Sequence, residues 1–558
     1  MIASLLFVFQ HAAVLALLLV ITAATGTAVA GARVPLALRS ALGLAVAGQA
    51  FAILGAFGVL RPWTICIFIA IALAAGAARM ERSAVRWGMV AAGAATALPL
   101  FVLAIYPPIA FDETLYHLPF VRAIAGSGAI RFLTDLRFPA FPQLHELLCV
   151  PAFLLAGDTA THLVATAEVL LLAALLIVWP RQRHAGFFAA ALVLGNPIVL
   201  QMATVTHVEC GLMLFVAAGA WCLDRATSEN PRAFAAAAGF LFGTACSAKY
   251  LGWYFAVAAL VFLVCFGPDR RRTIPIFLLA FAAAVVPTYA CIVAFTGNPV
   301  FPFLPEIFGA TPWTISMSED PRPVARAARL FWDITFARER VLYQPPYSLL
   351  FAGALLVTIV AAAKNRRLAF LSAVCAGYLA IFIVFLPQDS RYLLPLLPLV
   401  SVAAASVLAR WKTLSVALSV LSIAGGLAYV GFRVARQGPP PLNAAQRQQY
   451  LEQRVPEYRA LERRGTGRIY VCGAEHLKDY GGADVVGDFY GPLSIDEVIG
   501  GSRDASELSA SLARIDVRYL LVSRKRCPPE WQRLPASPAF ELVYADDGAL
   551  LWRVSGGR

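Results

Sequence analysis

Apolar runs long enough to cross a bilayer recur from residue 3 to about residue 432. A helix of about 20 residues matches the hydrocarbon core of a membrane. A chain with so many such runs has few ways to fold other than as a helical bundle in lipid. The spans fall near 3–24, 37–60, 62–78, 87–107, 159–179, 185–200, 210–223, 233–247, 251–266, 274–295, 346–363, 368–386, 391–409 and 412–432, so about 14 helices are expected. The hairpin 233–266 reads equally as one long broken helix. The runs are too long and too uniformly apolar for barrel strands, and helices satisfy their own backbone groups in lipid. Composition agrees: 59% of residues are hydrophobic, 14% are charged, and mean hydropathy is +0.71. Soluble domains carry about 25% charged residues, which excludes a soluble globular protein and a disordered chain.

Segment 433–558 differs, with 18 basic and 16 acidic residues and no apolar run. Most of the +13 net charge therefore belongs to the membrane part. There, 17 of 28 basic residues fall in one set of loops: Arg33, Arg39, Arg79, Arg82, Arg86, Arg181, Arg183, Arg225, Arg232, Arg270, Arg271, Arg272, Lys364, Arg366, Arg367, Arg410 and Lys412. The same loops hold only four acids, Glu81, Asp224, Glu229 and Asp269. The positive-inside rule makes these loops cytoplasmic and explains the basic balance without nucleic acid. Loops 108–158 and 296–345, the N-terminus and segment 433–558 are then expected outside.

Residues 1–30 imitate a signal peptide, with Ala28-Val29-Ala30 as a cleavage site. The first basic residue is Arg33, so a charged leading region is missing and a retained helix is expected. Ten cysteines are scattered without a CxxC pair. Eight lie in or beside spans as small packing residues. Cys472 and Cys527 are alone in the exported segment, where a disulfide and two free thiols are both open.

The sequence has no phosphate-cradling GxxxxGK[ST], no GxGxxG after a strand, no HExxH, no GxSxG and no DxD. Chemistry on this chain would use a substrate that arrives without a nucleotide. No internal repeat points to an inverted-repeat transporter.

The first outer loop carries the sharpest signal. The fourth span ends at Tyr106-Pro107-Pro108-Ile109-Ala110-Phe111, followed by Asp112-Glu113-Thr114-Leu115-Tyr116-His117-Leu118-Pro119. Adjacent acids at a membrane boundary are expensive, because like charges repel beside apolar lipid. A general base for an acceptor hydroxyl or amine needs a carboxylate in such a place. An acidic cap on an amphipathic helix 114–127 explains the pair equally well. Arg131 and Arg137 read as phosphate ligands or as solvated loop charges. Asp112, His117, His145 and Glu146 form a weak candidate set for a divalent metal, without a fixed ligand spacing.

The run Phe111-Asp112-Glu113-x-x-Tyr116-His117-Leu118-Pro119, the Gly128-x-x-Arg131 turn, the Pro-rich stretch to Glu146 and Gly157-Asp158 before a long span together resemble the integral-membrane GT-C glycosyltransferases. That superfamily includes the protein O-mannosyltransferases and the aminoarabinose transferases that modify lipid A. Asn196-Pro197 followed by His207-Val208-Glu209 resembles the family's second acidic site. Gly243 to Lys249 resembles its Gly-x-x-x-x-x-Lys, and Gln388-Asp389-Ser390-Arg391-Tyr392-Leu393-Leu394-Pro395 its Arg-Tyr-x-x-Pro motif. The likeness runs over roughly 87–432 in the family's order. It makes 1–86 an N-terminal addition of three helices, 87–432 the catalytic core and 433–558 a periplasmic domain.

The resemblance implies an inverting transfer of a sugar from a polyprenyl-phosphate donor, in a bacterial inner membrane, to a lipid, polysaccharide or protein acceptor on the periplasmic face. It makes Asp112 the base, with Glu113 orienting the acceptor and Glu209 beside His207 as the second acid. Lys249 and Arg391 would bind the donor phosphate, with Tyr116, His117, Arg131, Arg137 and Tyr392 lining the substrates. The resemblance assigns no definite cofactor, and a divalent metal stays an alternative. The residues alone leave other readings open: Lys249 snorkelling, Arg391 opening a helix, Glu209 and Glu168 paired internally. A lipid or polysaccharide flippase that uses the acids as an ion path and a non-catalytic envelope assembly factor are the rival functions.

Loop 296–345, with Pro302, Pro305, Pro312, Trp313 and Trp332, reads as a cap on the membrane from which Arg338, Glu339, Arg340 and Tyr343 could reach the acceptor. After Pro439-Pro440-Pro441, helical character over 444–464 precedes strands 468–472 and 517–523 with helix 504–515 between them. A hairpin 540–545/549–554 turns at Asp546-Asp547-Gly548. This is a small α/β domain with a mixed sheet. Asp484, Asp488 and Tyr490 are sugar contacts or plain loop residues.

Overall fold

The structure is a computed structural model that describes residues 2–31, 34–79, 87–315, 323–363, 365–533 and 537–555. Arg33, Glu81, Arg82, Arg86 and Lys364, used above for sidedness, lie outside the described residues.

Every expected span contains a helix. The helices in chain order are α1 (Ile2–Ala30), α2 (Leu36–Ala56), α3 (Pro62–Arg79), α4 (Trp87–Ala104), α5 (Leu118–Ser127), α6 (Leu144–Ala156), α7 (His162–Val178), α8 (Arg183–Leu194), α9 (Pro197–Met202) and α10 (Glu209–Ala226). They continue as α11 (Pro231–Ala248), α12 (Gly252–Phe266), α13 (Arg270–Thr296), α14 (Pro305–Phe308), α15 (Pro323–Phe336), α16 (Leu349–Ala362), α17 (Arg366–Val384), α18 (Leu396–Leu408) and α19 (Lys412–Gln437). Seven helices among the described residues are long and apolar enough to cross a membrane alone, and six more are shorter but apolar.

Three boundaries correct the sequence reading, each for a local reason. The span 185–200 is two helices, because Pro197 supplies no amide and biases Asn196 away from helical backbone. The span 391–409 opens as a tight turn over Ser390–Leu393, and the α-helix starts after Pro395. Loop 108–158 contains α6, a buried apolar helix. The segment 233–266 resolves as the two helices α11 and α12, broken at Lys249.

Helix association in lipid depends on close packing and small residues rather than on water exclusion. The crossing of α1 and α2 shows this: a Cβ on Gly43 would lie 1.9 Å from the Thr22 carbonyl oxygen, and one on Gly26 1.7 Å from the Arg39 oxygen. The α11/α13 crossing uses Gly239 in the same way, with the Phe277 oxygen 2.1 Å from the absent Cβ. Helices α2 and α7 are enclosed by neighbours, whereas α1, α3, α17 and α19 are mostly open to lipid. Since α2 packs on α6, α7 and α13, packing ties the first three helices to the rest of the bundle.

The C-terminal segment is an α/β domain. After α20 (Ala444–Arg454) and α21 (Tyr458–Glu462) come β1 (Arg468–Cys472), β2 (Val485–Val486), β3 (Val517–Ser523), β4 (Phe540–Ala545) and β5 (Ala549–Val554). The sheet order is β2-β1-β3-β5-β4, parallel across β2, β1 and β3 and antiparallel across β3, β5 and β4, so the expected mixed sheet forms. Helix Ala505–Arg514 makes the crossover to β3, with Asp504 capping its first amides. The one strand the sequence did not reveal is β2, too short to show alternation. Cys472 and Cys527 form a disulfide with Cα atoms 5.3 Å apart. Cys472→Ser should destabilise this domain by about 2–4 kcal/mol, the usual worth of a bridge. Non-reduced peptide mass spectrometry of the purified protein should find the 472–527 pair linked; two free thiols there would refute it.

Candidate active site

The ends of four helices meet where the C-terminal domain sits. Chain direction brings the exit of α4, the start of α10, the exit of α11 and the start of α18 to the same end of the bundle. They deliver Asp112, Glu209, Lys249 and Arg391 there. At the opposite end lie the ion pairs Arg367–Asp224 and Arg232–Asp269.

Arg391 is the hub. Its guanidinium contacts the Asp112 carboxylate directly, lies 2.6 Å from Asp389 Oδ2 and 3.7 Å from Glu209 Oε1, and donates to His207 Nδ1 at 3.1 Å. Asp389 also accepts from the Arg391 amide at 3.2 Å and so shapes the turn that carries the arginine. Lys249 Nζ donates to Glu209 Oε1 at 2.7 Å and stands 4.4 Å from the centre of the Tyr392 ring. Two cations thus face three carboxylates in a low-dielectric setting, where such pairs are far stronger than in water.

Exposure separates the acids. Asp112 keeps 20% of its side-chain surface open, against 2% for Glu209 and 3% for Asp389. Burial pushes the Asp112 carboxyl up, but the Arg391 guanidinium pulls it down further, so it stays ionised below the usual carboxylate range. Burial and the nearby Arg391 charge push His207 down to about 3, which keeps the imidazole neutral and able to accept from the guanidinium. Asp112 makes no capping hydrogen bond to the turn that follows.

Glu113, next in sequence, points elsewhere. It is fully buried, with Oε1 2.7 Å from His162 Nε2 and accepting from the Thr206 amide at 2.6 Å, while Oε2 accepts from the Ala110 amide at 3.3 Å. The π-helical turn Glu113–His117 rotates the two adjacent acids onto different neighbours. Tyr116 packs edge-on against Phe138 and Phe141 near Asp112, and His117 lies 5.4 Å from the His207 ring.

The possible metal set does not assemble. His117 pairs with Glu146, His145 with Glu168 at 3.3 Å, and Asp112 with Arg391. Among the described residues no group of three or more His, Cys, Asp or Glu side chains could hold a metal ion. Arg137 donates to Asp488 of the C-terminal domain at 2.7 and 2.8 Å. Arg131 is exposed on its turn. In the second outer loop, Arg338 turns back onto the carbonyl of Gln344, Arg340 pairs with Asp333, and Tyr343 is exposed.

Two residues of the cluster carried no assigned role in the sequence. Asp389 sits inside the motif around Arg391, where an acid two residues before an arginine was the available signal. His162 is a lone imidazole at the head of an apolar helix, and only its fold partner reveals its use.

A bundle of apolar helices gathering acids and cations at one end, beneath a small α/β domain, is the GT-C fold, which the chain shares with solved structures of ArnT. The chain is similar to ArnT from Cupriavidus metallidurans bound to undecaprenyl phosphate, at 13% identity and a TM-score of 0.56, over 84% of this chain and 98% of that one. It is also similar to the apo state of the same protein, at 15% identity and a TM-score of 0.58 over the same shares. The family model for dolichyl-phosphate-mannose-protein mannosyltransferases matches residues 143–293. A second family model, described as SF2091/S2213, matches residues 446–553 within the C-terminal domain. No curated protein matches the chain by sequence. The chain is thus a multi-pass membrane protein with the GT-C fold.

Proposed function

We propose that this protein is a glycosyltransferase that moves a sugar from a polyprenyl-phosphate donor to an envelope acceptor on the periplasmic face of a bacterial inner membrane. The observation that carries the reading is the partly open Asp112 carboxylate paired with Arg391, with the Lys249–Glu209 pair beside it at the same end of the bundle. An acceptor hydroxyl or amine attacks the anomeric carbon from the face opposite the phosphate, so configuration inverts. Its proton passes to Asp112, the bond from the anomeric carbon to the phosphate oxygen breaks, and polyprenyl phosphate leaves with the electron pair. Lys249 and Arg391 stabilise the charge that develops on the leaving group. Glu209 holds Lys249, and Tyr392 lies beside both cations.

The same geometry couples donor binding to the base. While Arg391 contacts Asp112, the carboxylate is weakly basic. A donor phosphate that engages Arg391 offsets that contact, and the basicity of Asp112 rises. The undecaprenyl phosphate bound to the ArnT structure of similar fold supports a polyprenyl carrier. The disulfide and the basic loops at the other end support the outward placement of the site. In this reading 1–86, 87–432 and 433–558 are the added helices, the catalytic core and the periplasmic domain.

Transfer of label from a radiolabelled polyprenyl-phosphate sugar to an extracted envelope fraction tests the activity. Label that stays with the donor in the presence of well-folded protein rejects it. Topology has its own test. Reporter fusions after Arg181, Arg271 and Arg366 should read cytoplasmic, and one after residue 440 periplasmic. A cytoplasmic reading at 440 would put Asp112 in the wrong compartment.

A further inference from the structure

The C-terminal domain is tied closely to the first outer loop. Arg122 pairs with the buried Asp479 at 3.0 Å, Arg447 with Asp158 at 2.6 Å, and the Tyr480 hydroxyl donates to the Pro108 carbonyl at 2.6 Å. The Gly491 amide donates to the Pro312 carbonyl at 2.9 Å, which joins the same domain to the second outer loop. These contacts set a loop of the C-terminal domain beside the residue that precedes Asp112.

Three aromatic rings collect there around one cation. The Arg137 guanidinium lies 5.7 Å from the ring centre of Phe111 and 5.8 Å from those of Phe489 and Tyr490. Phe111 belongs to the first outer loop, and the other two rings to the C-terminal domain. Although they share a half-buried cation, the rings stay 37%, 50% and 38% exposed. Arg526, itself exposed, stands 5.4 Å from the Phe111 ring centre and donates to His476 Nδ1 at 3.3 Å. Among the described residues no carboxylate pairs with Arg526. Open rings beside an arginine without a carboxylate partner make a surface that is apolar and cationic at once.

We infer that Phe111, Phe489 and Tyr490, with Arg526, form a shelf that receives the acceptor, and that this acceptor is an anionic sugar. The inference rests on the transferase reading, since the shelf matters through its closeness to Asp112. Flat apolar faces of a sugar ring lie on the exposed aromatic rings, and a carboxylate or phosphate on that sugar meets Arg526. The exposed Arg526 guanidinium gives this surface charge complementarity for an anion. The sugar can be the headgroup of a membrane glycolipid or a unit of a water-soluble glycan, because both present the same chemistry.

Binding measured without donor tests the shelf apart from catalysis. The full chain in nanodiscs is titrated with oligogalacturonate and with uncharged malto-oligosaccharide. In parallel, nanodiscs carrying glucuronosyl or glucosyl diacylglycerol supply the lipid-borne acid and its neutral counterpart. An acidic probe should bind at least about tenfold tighter than its neutral counterpart, and whichever pair shows this identifies the source. Phe489→Ala and Arg526→Gln should each weaken the acidic probe about tenfold, the usual cost of truncating an anchoring aromatic or arginine. Melting temperature is followed for both variants; if Phe489→Ala lowers it, the exposed Arg526→Gln decides. Equal binding of acidic and neutral probes, no binding of either acid, or wild-type affinity in the stable variants overturns the shelf. A wild-type protein that binds the acid yet transfers no label overturns the transferase reading instead.

Discussion

Asp112→Asn is expected to lower turnover by about 10²–10⁴-fold, the range that a placed proton acceptor contributes. The amide nearly preserves the shape of the side chain but cannot take the acceptor's proton. Protein amount should hold, because the position is partly open and makes no capping bond. Donor binding should hold or tighten. In the wild type the Asp112 carboxylate occupies Arg391, and the neutral amide leaves the guanidinium freer for a phosphate. The combination of lost turnover and retained donor affinity is the signature of a base; a group that merely organises the site would lose both. The measurement is initial rate and donor affinity on the same purified preparation, with yield beside them. Full activity in a well-expressed Asp112→Asn protein would take this residue out of the mechanism and move attention to Glu209.

Why some of this could be read from the sequence, and some could not, follows from the range over which each feature is written. A membrane helix is encoded locally, in a run of apolar residues that lipid alone selects, so each of the spans appears as a helix. The ends of those helices depend on single residues, and Pro197 and Pro395 moved two of them. Helix α6 was hidden because His145 and Glu146 break its apolar run. Only the packed structure supplies His117 and Glu168, which make those charges tolerable there. Arg137 was ambiguous for the same reason. Its partner, Asp488, lies 351 residues away in another domain, and spacing carries no trace of such a pair. The gathering of Asp112, Glu209, Lys249 and Arg391 at one end was legible in outline, because alternating spans fix which loop emerges on which side. Their individual pairings were not. In particular, the division between Asp112 and Glu113 turns on the backbone rotation of a single π-helical turn.

That division yields the second large effect. Glu113→Ala should destabilise the folded protein by about 3–5 kcal/mol, the cost of removing one member of a buried ion pair. The carboxylate satisfies His162 Nε2 and the amides of Thr206 and Ala110 at once, so its loss leaves three buried polar groups without their acceptor. Two of these groups lie in different outer segments, and the third heads an apolar helix. The damage should therefore appear as a lower melting temperature in detergent and a lower yield. Glu113→Gln retains a carbonyl acceptor and should cost less. The pH dependence has a definite sign. Burial pushes this carboxyl up, yet His162 and the Thr206 amide hold it below its ordinary value. Its contribution to stability is therefore fully present above the ordinary carboxylate range and is lost as the pH falls through the depressed value. The expected result for Glu113→Gln is a shallower loss of stability on acidification, because the titrating group is gone. Rate per folded molecule discriminates the roles of the neighbouring acids. With Glu113→Gln it should stay close to wild type, whereas with Asp112→Asn it should collapse. A Glu113→Gln protein that is as stable as wild type but inactive would assign the proton transfer to Glu113 and leave Asp112 as the residue that holds Arg391.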